Sequence, residues 1–323
     1  MQTILVLALD GVMDSSLAIT LDTLRAAQAF AQRRDTPARI RVVVAGHHAT
    51  VTTGGGLRLS ADTTFKKMMA GKTRPDWILV PGLGWNSDAE ITSRFAGRDA
   101  VEAMALLQTM DKRGVKIGAS CSAVFLLAGT GLLDERAATM TWWLASNFRR
   151  RYPAVRLDEA RMLVRDGSYL TAGSAFAQLD LVLAVVAETM GASIAHLCSH
   201  YLLIDQRPSQ ALYMIQEHVR SSDPVVVAAE RWIDANLASP ISVSALSSKL
   251  AVSPKTLARR IEQATGASPV KLIQRRRLMR ARHLIETTTL SVEAIAAKVG
   301  YQDGTSLRKL VKREFGITPG ALR

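Results

Sequence analysis

The sequence of 323 residues contains only two cysteines, Cys121 and Cys198, which lie far apart in the chain. Two distant cysteines do not support a disulfide framework or a cysteine-based zinc site. The chain also lacks any run of about eighteen uncharged apolar residues, so no membrane-spanning helix is predicted. Its first residues, MQTILVLALDGV, carry neither the basic segment nor the cleavage site of a signal peptide. We therefore expect an intracellular, cytoplasmic protein with no membrane partner.

What is present is the composition of a globular protein, with 48% hydrophobic and 21% charged residues. The length suits two domains, each with its own core. The net charge of +13 is unevenly distributed, because residues 223–323 contain 17 Lys and Arg against 8 Asp and Glu, a balance of +9. The first 222 residues contain the other 24 Lys and Arg against 20 Asp and Glu, a balance of +4. A basic domain favours a polyanion such as nucleic acid, although charge alone is also compatible with a solvated surface.

The last third of the chain repeats itself. LARRIEQATGASP at 257–269 matches LRKLVKREFGITP at 307–319, and LSSKLAVSP at 246–254 matches IAAKVGYQD at 295–303. Two matching segments in the same order indicate a duplicated structural unit. In each copy, apolar residues at helical spacing are followed by a small turn residue, Ala251 or Gly300, and then by an N-cap residue. This pattern predicts two helix-turn-helix motifs.

The second helix of each motif presents ammonium, guanidinium and hydroxyl groups outward, where they can contact base edges and phosphates in a major groove. The predicted DNA-binding residues are Lys255, Thr256, Arg259 and Arg260 in the first copy, and Thr305, Ser306, Arg308, Lys309 and Lys312 in the second.

A long helix is predicted between the two motifs. Ser268 and Pro269 are typical of a helix start, and the apolar pattern continues to Glu286. At about 1.5 Å per residue this helix spans nearly 30 Å, which approaches the helical repeat of DNA, about 34 Å. One monomer could therefore place two reading helices in successive grooves. The arginines of this helix can be phosphate contacts or a solvated face, and we expect mixed roles for Arg275, Arg276, Arg277, Arg280 and Arg282.

These features resemble the DNA-binding domain of AraC/XylS-family transcription regulators. The resemblance covers residues 225–323 and depends on the paired motifs, the pattern RxxxAxxLIE at 277–286 and the ending GYQDGTSLRKLVKREFGITPGALR. By position it implies base-reading roles for Lys255, Ala258 and Arg259, and for Gly304, Thr305, Arg308 and Lys309. Ala258 and Gly304 depart from this expectation because neither has a hydrogen-bonding side chain. Leu307 replaces the aromatic residue that is common at its position.

The first two thirds of the chain alternate apolar strand patterns with helical stretches. The strand patterns lie at 4–11, 39–46, 77–84 and 115–120. Continuous apolar strands belong to a parallel sheet covered on both faces, so a doubly wound, flavodoxin-like α/β domain is predicted. Its ligand crevice should lie at the carboxyl ends of the strands. We expect TTGGGLRLSAD at 52–62 to form a hairpin turn and not a phosphate loop, because no helix immediately follows its glycines.

Cys121 lies in GASCSA, between a predicted strand and a predicted helix, as in a nucleophile elbow. A helix N-terminus at this point would lower the pKa of the thiol and make it reactive. A nucleophile also needs a base, however, and no histidine is adjacent in the sequence. Cys121 is therefore either a nucleophile or a residue in the wall of a binding pocket.

The layout of this region resembles the class I glutamine amidotransferase-like superfamily in its PfpI-type form, over residues 2–205. The matching segments are LDGVMDSSLAITLD at 9–22, VPGLG at 80–84, CSAVFLLAGTGLLDERAATMTWW at 121–143, RRRYPAV at 149–155 and DGSYLTAGSAFAQLDLVLAVV at 166–186. In enzymes of the superfamily a histidine and a carboxylate on the first helix assist the cysteine. Here Asp22 stands at the carboxylate position, Ser122 follows the cysteine where hydrolases have His, and Thr141 stands where related regulators often have His.

The resemblance implies a domain without catalytic residues, in which Cys121 and Asp22 are vestigial and the crevice binds a small, nitrogen-containing metabolite. The predicted ligand-binding residues are Asp10, Asp22, Leu83, Trp85, Cys121, Ser122, Thr141 and Trp142. The indole rings can hold a cationic group or can simply fill the core. Cys198 is interpreted as a small core residue. His196 and His200 have the spacing of metal ligands on a helix but no third ligand, so no metal site and no cofactor are predicted.

We predict a ligand-sensing α/β domain over residues 1–207, a linker over 208–222 and an all-α DNA-binding domain over 223–323. The predicted function is a sequence-specific transcriptional regulator that binds double-stranded DNA as a homodimer and responds to a small-molecule effector. One alternative is a cysteine-dependent deglycase, hydratase or amidase fused to a DNA-binding domain. Another is an architectural nucleoid protein, whose binding would be nearly independent of sequence.

Overall fold

The computed structural model describes residues 1–34, 39–204, 209–210, 214 and 223–322. The chain divides into two compact units, formed by residues 1–148 with 152–210 and by residues 149–151 with 211–323. Most of the predicted linker, 208–222, lies outside the described residues. Ser209 and Gln210 fall within that predicted range, but the structure places both in the first unit.

The first unit is built around a mixed β-sheet. The strands are β1 (Gln2–Ala8), β2 (Ile40–Gly46), β3 (Thr50–Thr52), β4 (Arg58–Ser60), β5 (Thr63–Thr64), β6 (Trp77–Val80), β7 (Lys116–Ser120), β8 (Ala137–Ala138), β9 (Arg156–Leu157), β10 (Leu163–Asp166) and β11 (Tyr169–Ala172). Seven of them form one sheet in the order β10-β11-β7-β6-β1-β2-β5. All neighbours in it are parallel except β10, which is antiparallel to β11. Strand β6 is buried along its length and β1 from Ile4 onward, which confirms the prediction made from their continuous apolar runs.

Helices cover this sheet in two groups. They are α1 (Asp14–Arg33), α2 (Phe65–Ala70), α3 (Asp88–Phe95), α4 (Arg98–Lys112), α5 (Ala123–Gly129), α6 (Ala145–Arg151), α7 (Ala177–Met190) and α8 (Ala192–Tyr201). Helices α1, α7 and α8 pack together, and α4 packs with α2, α3 and α5. A sheet with a helical layer on each face is the doubly wound, flavodoxin-like architecture that the sequence predicted.

The glycine-rich stretch after β3 forms a hairpin, as predicted. Strands β3 and β4 pair antiparallel, with Val51 opposite Leu59. The hairpin is joined to the end of β1, because the N–H of Gly11 donates to the carbonyl of Thr52 at 2.8 Å and the N–H of Thr52 donates to Asp10 Oδ1 at 2.8 Å. It therefore lies at the carboxyl edge of the sheet.

The second unit is helical. Its helices are α9 (Pro224–Ala235), α10 (Val243–Lys249), α11 (Pro254–Thr265), α12 (Pro269–Thr287), α13 (Val292–Lys298) and α14 (Gly304–Phe315). Helices α10 and α11 form the first helix-turn-helix, α13 and α14 form the second, and α12 packs against α11, α13 and α14. Within the ranges that the structure describes, no helix combines the length and the apolar character that crossing a membrane requires.

The two helix-turn-helix motifs match each other in backbone detail. Ala251 and Gly300 both have positive φ, 53° and 79°, at the turn. The next residue in each copy closes the turn, since the N–H of Val252 donates to the carbonyl of Ser247 at 3.1 Å and the N–H of Tyr301 donates to the carbonyl of Ala296 at 2.9 Å. The prediction of a small residue at each turn is therefore confirmed. A small residue is favoured there because the backbone is in the left-handed conformation, which a large side chain would strain.

Caps and apolar residues account for the ends and the inner faces of these helices. The side chains of Ser253 and Asp303 accept hydrogen bonds from the N–H groups of Thr256 and Ser306, at 3.1 and 2.7 Å. The inward residues Leu257, Ile261, Leu307, Val311 and Phe315 are fully buried. Each copy thus has the inner and outer faces that its periodicity indicated.

Candidate functional site

Cys121 lies at a sharp turn between β7 and α5 in the first unit. Its φ is 54°, in the left-handed region that residues other than glycine seldom adopt. Its N–H donates to the carbonyls of Ala172 and Gly173 at the end of β11, at 3.1 and 2.7 Å. On the other side, a Cβ built on Gly82 would lie 3.1 Å from Cys121 Cβ, so a larger residue at 82 would crowd the elbow. The elbow geometry predicted from GASCSA is present.

The thiol of Cys121 is buried among neutral side chains. Burial raises the pKa of Cys121, and hydrogen bonds from Ser122 beside it oppose that effect only in part. The expectation that a helix N-terminus would lower this pKa is therefore wrong, because desolvation of the thiolate is the larger effect. Since the thiolate is the nucleophilic form of cysteine, Cys121 is predominantly an unreactive thiol at neutral pH.

The helix facing this elbow supplies a hydroxyl group in place of a carboxylate. Ser16 of α1 is fully buried, and its Oγ accepts a hydrogen bond from the N–H of Gly82 at 2.8 Å. The prediction for Asp22 differs from the structure, since its side chain is 65% exposed and contacts Arg25 at 3.4 Å. Six residues correspond to about 600° of helix rotation, so Ser16 and Asp22 lie on different faces of α1.

The remaining predicted pocket residues lie in three places. Trp85 contacts the elbow, because its backbone N–H donates to Ser122 Oγ at 3.2 Å. Leu83 is buried two residues earlier. Trp142 is buried next to Thr141 and contacts Trp143 edge to face, with ring centroids 5.2 Å apart. Asp10 instead contacts the hairpin through Thr52. Among the described residues, the indole Nε1 of Trp85 and the hydroxyl of Thr141 are buried without a hydrogen-bond partner.

Sequence reasoning missed Gln210 because the residue lies in a segment that resembled a linker. Its side chain is buried, and Nε2 donates to the carbonyl of Met140 at 2.8 Å and to that of Arg161 at 3.2 Å. It also fills the space beside Gly173, where a Cβ would collide with the Gln210 side chain. Gln210 therefore supports both the residue before Thr141 and the glycine that binds the Cys121 N–H.

The other three residues considered in the first unit, Cys198, His196 and His200, have simple surroundings. Cys198 is fully buried in α8, and burial raises its pKa to about 11. The rings of His196 and His200 contact each other, with centroids 4.3 Å apart. In the portion of the chain that the structure covers, no group of three His, Cys, Asp or Glu residues could hold a metal ion.

In the second unit, most of the predicted DNA-binding side chains are exposed on α11 and α14. The exposed ones are Lys255, Arg259, Thr305, Ser306, Arg308, Lys309 and Lys312. Two of the hydroxyl residues also serve the helix starts, since Thr256 Oγ1 lies 2.9 Å from Ser253 Oγ and Ser306 Oγ donates to Asp303 at 2.9 Å. The cations therefore form the main part of each outward face.

Arg260 differs from the prediction. It is half-buried, and its Nε donates to Asp223 Oδ2 at 2.7 Å. Asp223 is the N-cap of α9, where its carboxylate also accepts from the N–H of Val225 at 2.8 Å. Arg260 lies beside Ile261 on the flank of the buried face, so its guanidinium reaches α9 and stabilises the packing of the first motif.

The arginines of α12 have the mixed roles that were expected. Arg276 pairs with Asp234 of α9, and Arg277 donates to the carbonyl of Ser239 at 2.8 Å and lies 5.8 Å from the Tyr301 ring centroid. Arg275 approaches Glu314 at 3.9 Å, Arg282 pairs with Glu286 at 2.6 Å, and Arg280 is exposed. Several of these cations thus hold α12 against its neighbours.

The architecture and the two sites agree with the family matches. Residues 2–188 match the DJ-1/PfpI family, and residues 246–323 match a helix-turn-helix domain. Because the first match spans more than half of the chain, the protein belongs to the DJ-1/PfpI family, and it carries a helix-turn-helix domain after the family domain.

Several known proteins are similar to this chain over more than half of its length. The HTH-type transcriptional regulator GlxA of Rhizobium meliloti (strain 1021) is 29% identical over 225 residues, which cover 67% of this chain and 68% of that protein. The HTH-type transcriptional regulator ArgR of Pseudomonas aeruginosa is 27% identical over 250 residues, covering 74% and 76%. A crystal structure of an AraC family transcriptional regulator from Pseudomonas putida superposes with a TM-score of 0.50 at 18% identity, covering 62% of this chain and all of that one, which supports the fold.

Proposed function

We infer that this protein is a transcriptional regulator that binds specific DNA sequences through its two helix-turn-helix motifs. The observation that carries this function is the pair of matched motifs, each with exposed cations on its second helix, joined by the 19-residue helix α12. At about 1.5 Å per residue, α12 is nearly as long as one turn of duplex DNA. Similarity to proteins named as HTH-type transcriptional regulators supports the same function.

The first unit is proposed to be a sensor and not an enzyme. A nucleophilic cysteine requires a thiolate and a base, whereas Cys121 is buried with a raised pKa and is approached by hydroxyl groups. A binding role suits the unpartnered indole N–H of Trp85 and the hydroxyl of Thr141, because buried polar groups normally find a partner. The proposed ligand is a small, nitrogen-containing metabolite whose polar atoms satisfy these groups.

We further propose that residues 1–207 sense the ligand, that residues 223–323 bind double-stranded DNA, and that 208–222 link them within a homodimer. An effector can change DNA binding only if it has different affinities for two arrangements of the protein. Ligand binding beside Cys121 would then change DNA affinity, and DNA would change ligand affinity by the same factor.

The test is a selection of bound fragments from random DNA by the purified protein, with and without candidate amines. A regulator will enrich one sequence, and an effector will change the affinity for it. Arg259→Ala and Lys309→Ala should each lose about 1–3 kcal/mol at the selected site and far less on random DNA. Lys298→Ala, which removes an exposed cation from α13, is the matched control.

Two outcomes would contradict this proposal. Equal weakening on all sequences by Arg259→Ala and Lys309→Ala would favour an architectural DNA-binding protein. Turnover of a glyoxal or an amide by the wild-type protein, lost in Cys121→Ser, would show that the first unit is an enzyme.

A further inference from the structure

The second reading helix begins with a glycine in a crowded place. Gly304 is the first residue of α14, and it is buried. A Cβ built on it would lie 2.7 Å from Glu293 Oε1 and 3.2 Å from Arg308 Nη1. A larger residue would therefore displace the Glu293 carboxylate. The absence of a side chain at 304 leaves room in which Glu293 of α13 and Arg308 of α14 can meet.

Glu293 and Arg308 form an ion pair in that space. Arg308 Nη2 donates to Glu293 Oε1 at 2.7 Å, the length of a charge-assisted hydrogen bond. Arg308 thereby holds the pKa of Glu293 below its ordinary value, so the carboxylate is ionised at neutral pH. The side chain of Arg308 is 47% exposed and that of Glu293 is 61% exposed, and exposed ion pairs contribute little to stability. The pair is therefore not needed to hold α13 against α14.

The first motif folds without such a pair. With the turn residues Ala251 and Gly300 aligned, Ser244 stands opposite Glu293. With the N-caps of the second helices, Ser253 and Asp303, aligned, Pro254 and Ala258 stand opposite Gly304 and Arg308. The first copy keeps the same turn and the same capped second helix. Since the fold does not require the three residues, their combination in the second copy calls for another explanation.

We propose that Glu293 is a positioning residue that orients the Arg308 guanidinium to read a guanine, and that Gly304 provides the space for this contact. Arginine recognises guanine by donating two hydrogen bonds to O6 and N7, which requires a defined orientation of the planar guanidinium. Holding the side chain before DNA arrives reduces the rotamer entropy lost on binding. The inference rests on the proposed function, because it assumes that α14 enters a major groove.

The carboxylate also has a predictable cost. A negative charge on the DNA-facing side repels the phosphates, so Glu293 weakens binding to every sequence. Wild-type protein therefore prefers sites that place a guanine opposite Arg308, because only there do the hydrogen bonds from the oriented guanidinium offset this repulsion. Such a loss of general affinity in exchange for selectivity is a recognised route to specificity.

The experiment is the selection from random DNA with the full-length protein as wild type, Glu293→Gln, Gly304→Ala, Arg308→Ala and the double variant Glu293→Gln/Arg308→Ala. Wild type should select a guanine at one position read by α14, and Arg308→Ala should lose roughly 10-fold of that preference. Glu293→Gln should lose a similar factor, and the double variant should be no worse than Arg308→Ala alone. Gly304→Ala should lose the preference at unchanged net charge.

Two further measurements separate positioning from charge and from stability. Glu293→Gln should bind random duplex more tightly than wild type, whereas Arg308→Ala should bind it more weakly. Glu286→Gln removes another exposed carboxylate, the partner of Arg282 on α12, and should leave the guanine preference unchanged. The melting temperature of each variant should stay close to that of wild type.

The proposal is overturned if Glu293→Gln and Gly304→Ala retain the full guanine preference, or if Arg308→Ala does not lose it. In either case, if wild type still selects one sequence, the proposed regulator function stands and only the positioning role of Glu293 fails. If wild type enriches no sequence at all, the proposed function and this inference both fail.

Discussion

Cys121 combines a strained backbone with a protonated side chain. A left-handed φ costs a residue with a Cβ about 1–2 kcal/mol, and such strain is often kept at functional positions. The thiol, however, is buried beside hydroxyl groups, and the residue of α1 that contacts Gly82 beside it is Ser16 and not a carboxylate. The backbone of a nucleophile elbow is therefore present in a site whose side chains favour the neutral thiol.

The first prediction concerns the reactivity of this thiol. Iodoacetamide should alkylate Cys121 in the native Cys198→Ser variant far more slowly at pH 8 than in the same variant unfolded in urea. Burial raises the pKa of Cys121 above its ordinary value of 9.0, so the thiolate fraction is small at pH 8 and the rate should still be rising above pH 9. Cys121→Ser supplies the control for Cys198, whose pKa of about 11 also predicts slow reaction. Rapid alkylation of Cys121 near neutral pH would contradict the protonated state.

At the scale of elements, helix starts in the second unit depend on caps of two chemical kinds. Serines cap α10, α11, α12 and α13, and their hydroxyl groups do not titrate in the physiological range. Aspartates cap α9 and α14. Burial alone would raise the pKa of Asp223, but hydrogen bonds from Arg260 and from the N–H groups of Val225 and Val226 hold it below the ordinary value of 3.8. The start of α9 is therefore sensitive to acid.

The second prediction follows from the sign of that shift. A carboxyl group whose pKa is lower in the folded state stabilises the protein above its unfolded pKa, and this stabilisation is lost as the pH falls through the folded value. Wild type should therefore lose stability of the second unit below about pH 4, more steeply than Asp223→Asn, which keeps a capping oxygen without the charge. Asp223→Ala should cost about 1 kcal/mol at pH 7.

Urea denaturation followed by helical circular dichroism, repeated between pH 3 and pH 7, measures both effects. An Asp223→Asn variant with the same acid dependence as wild type would show that the Arg260 contact contributes nothing to the pH profile. Asp303→Asn is the matched control at α14, where Ser306 and not an arginine is the main hydrogen-bond partner.

At the scale of the whole molecule, charge and fold are divided in the same way. Residues 223–323 carry +9 of the net +13 and form the helical unit, while the α/β unit belongs to the nearly balanced remainder. Counterion release makes the affinity of a cationic domain for DNA strongly dependent on salt. Recognition helices use their N-terminal residues for bases, so cations later in the helix are suited to phosphates.

The third prediction separates these two contributions on α14. Lys312 is exposed three residues before the end of the helix, and Lys312→Ala should weaken binding to all duplexes and reduce the slope of log affinity against log salt by about one. The selected sequence should not change. Fluorescence anisotropy between about 50 and 200 mM salt measures the slope, with Arg308→Ala as the contrasting variant. A Lys312→Ala protein with an altered base preference would place Lys312 at the bases instead.

Local features of this protein were predictable from sequence because each depends on residues a few positions apart. Buried strands were indicated by continuous apolar runs, and the helix-turn-helix pair by a repeat whose turn residues, Ala251 and Gly300, adopt the positive φ that small residues tolerate. The pattern GASCSA indicated the elbow at Cys121 for the same reason, since a strand, a cysteine and a helix follow one another directly.

Sequence by itself determined the alternation of the main parallel strands with helices, the duplicated reading motif and the separation of charge between the two parts of the chain. The pairing of β11 with the antiparallel edge strand β10 was not predicted. Tertiary structure alone decided which side chains meet across those elements. Ser16 reaches Gly82 across 66 positions and Arg260 reaches Asp223 across 37, and neither contact follows from local periodicity. Periodicity specifies which face of a helix is buried, but the partner of a polar side chain depends on which distant segment packs against it. For this reason the exposure of Asp22 and the contact of Arg260 with Asp223 were not predicted, and Gln210 and the Glu293–Arg308 pair became visible only in the fold.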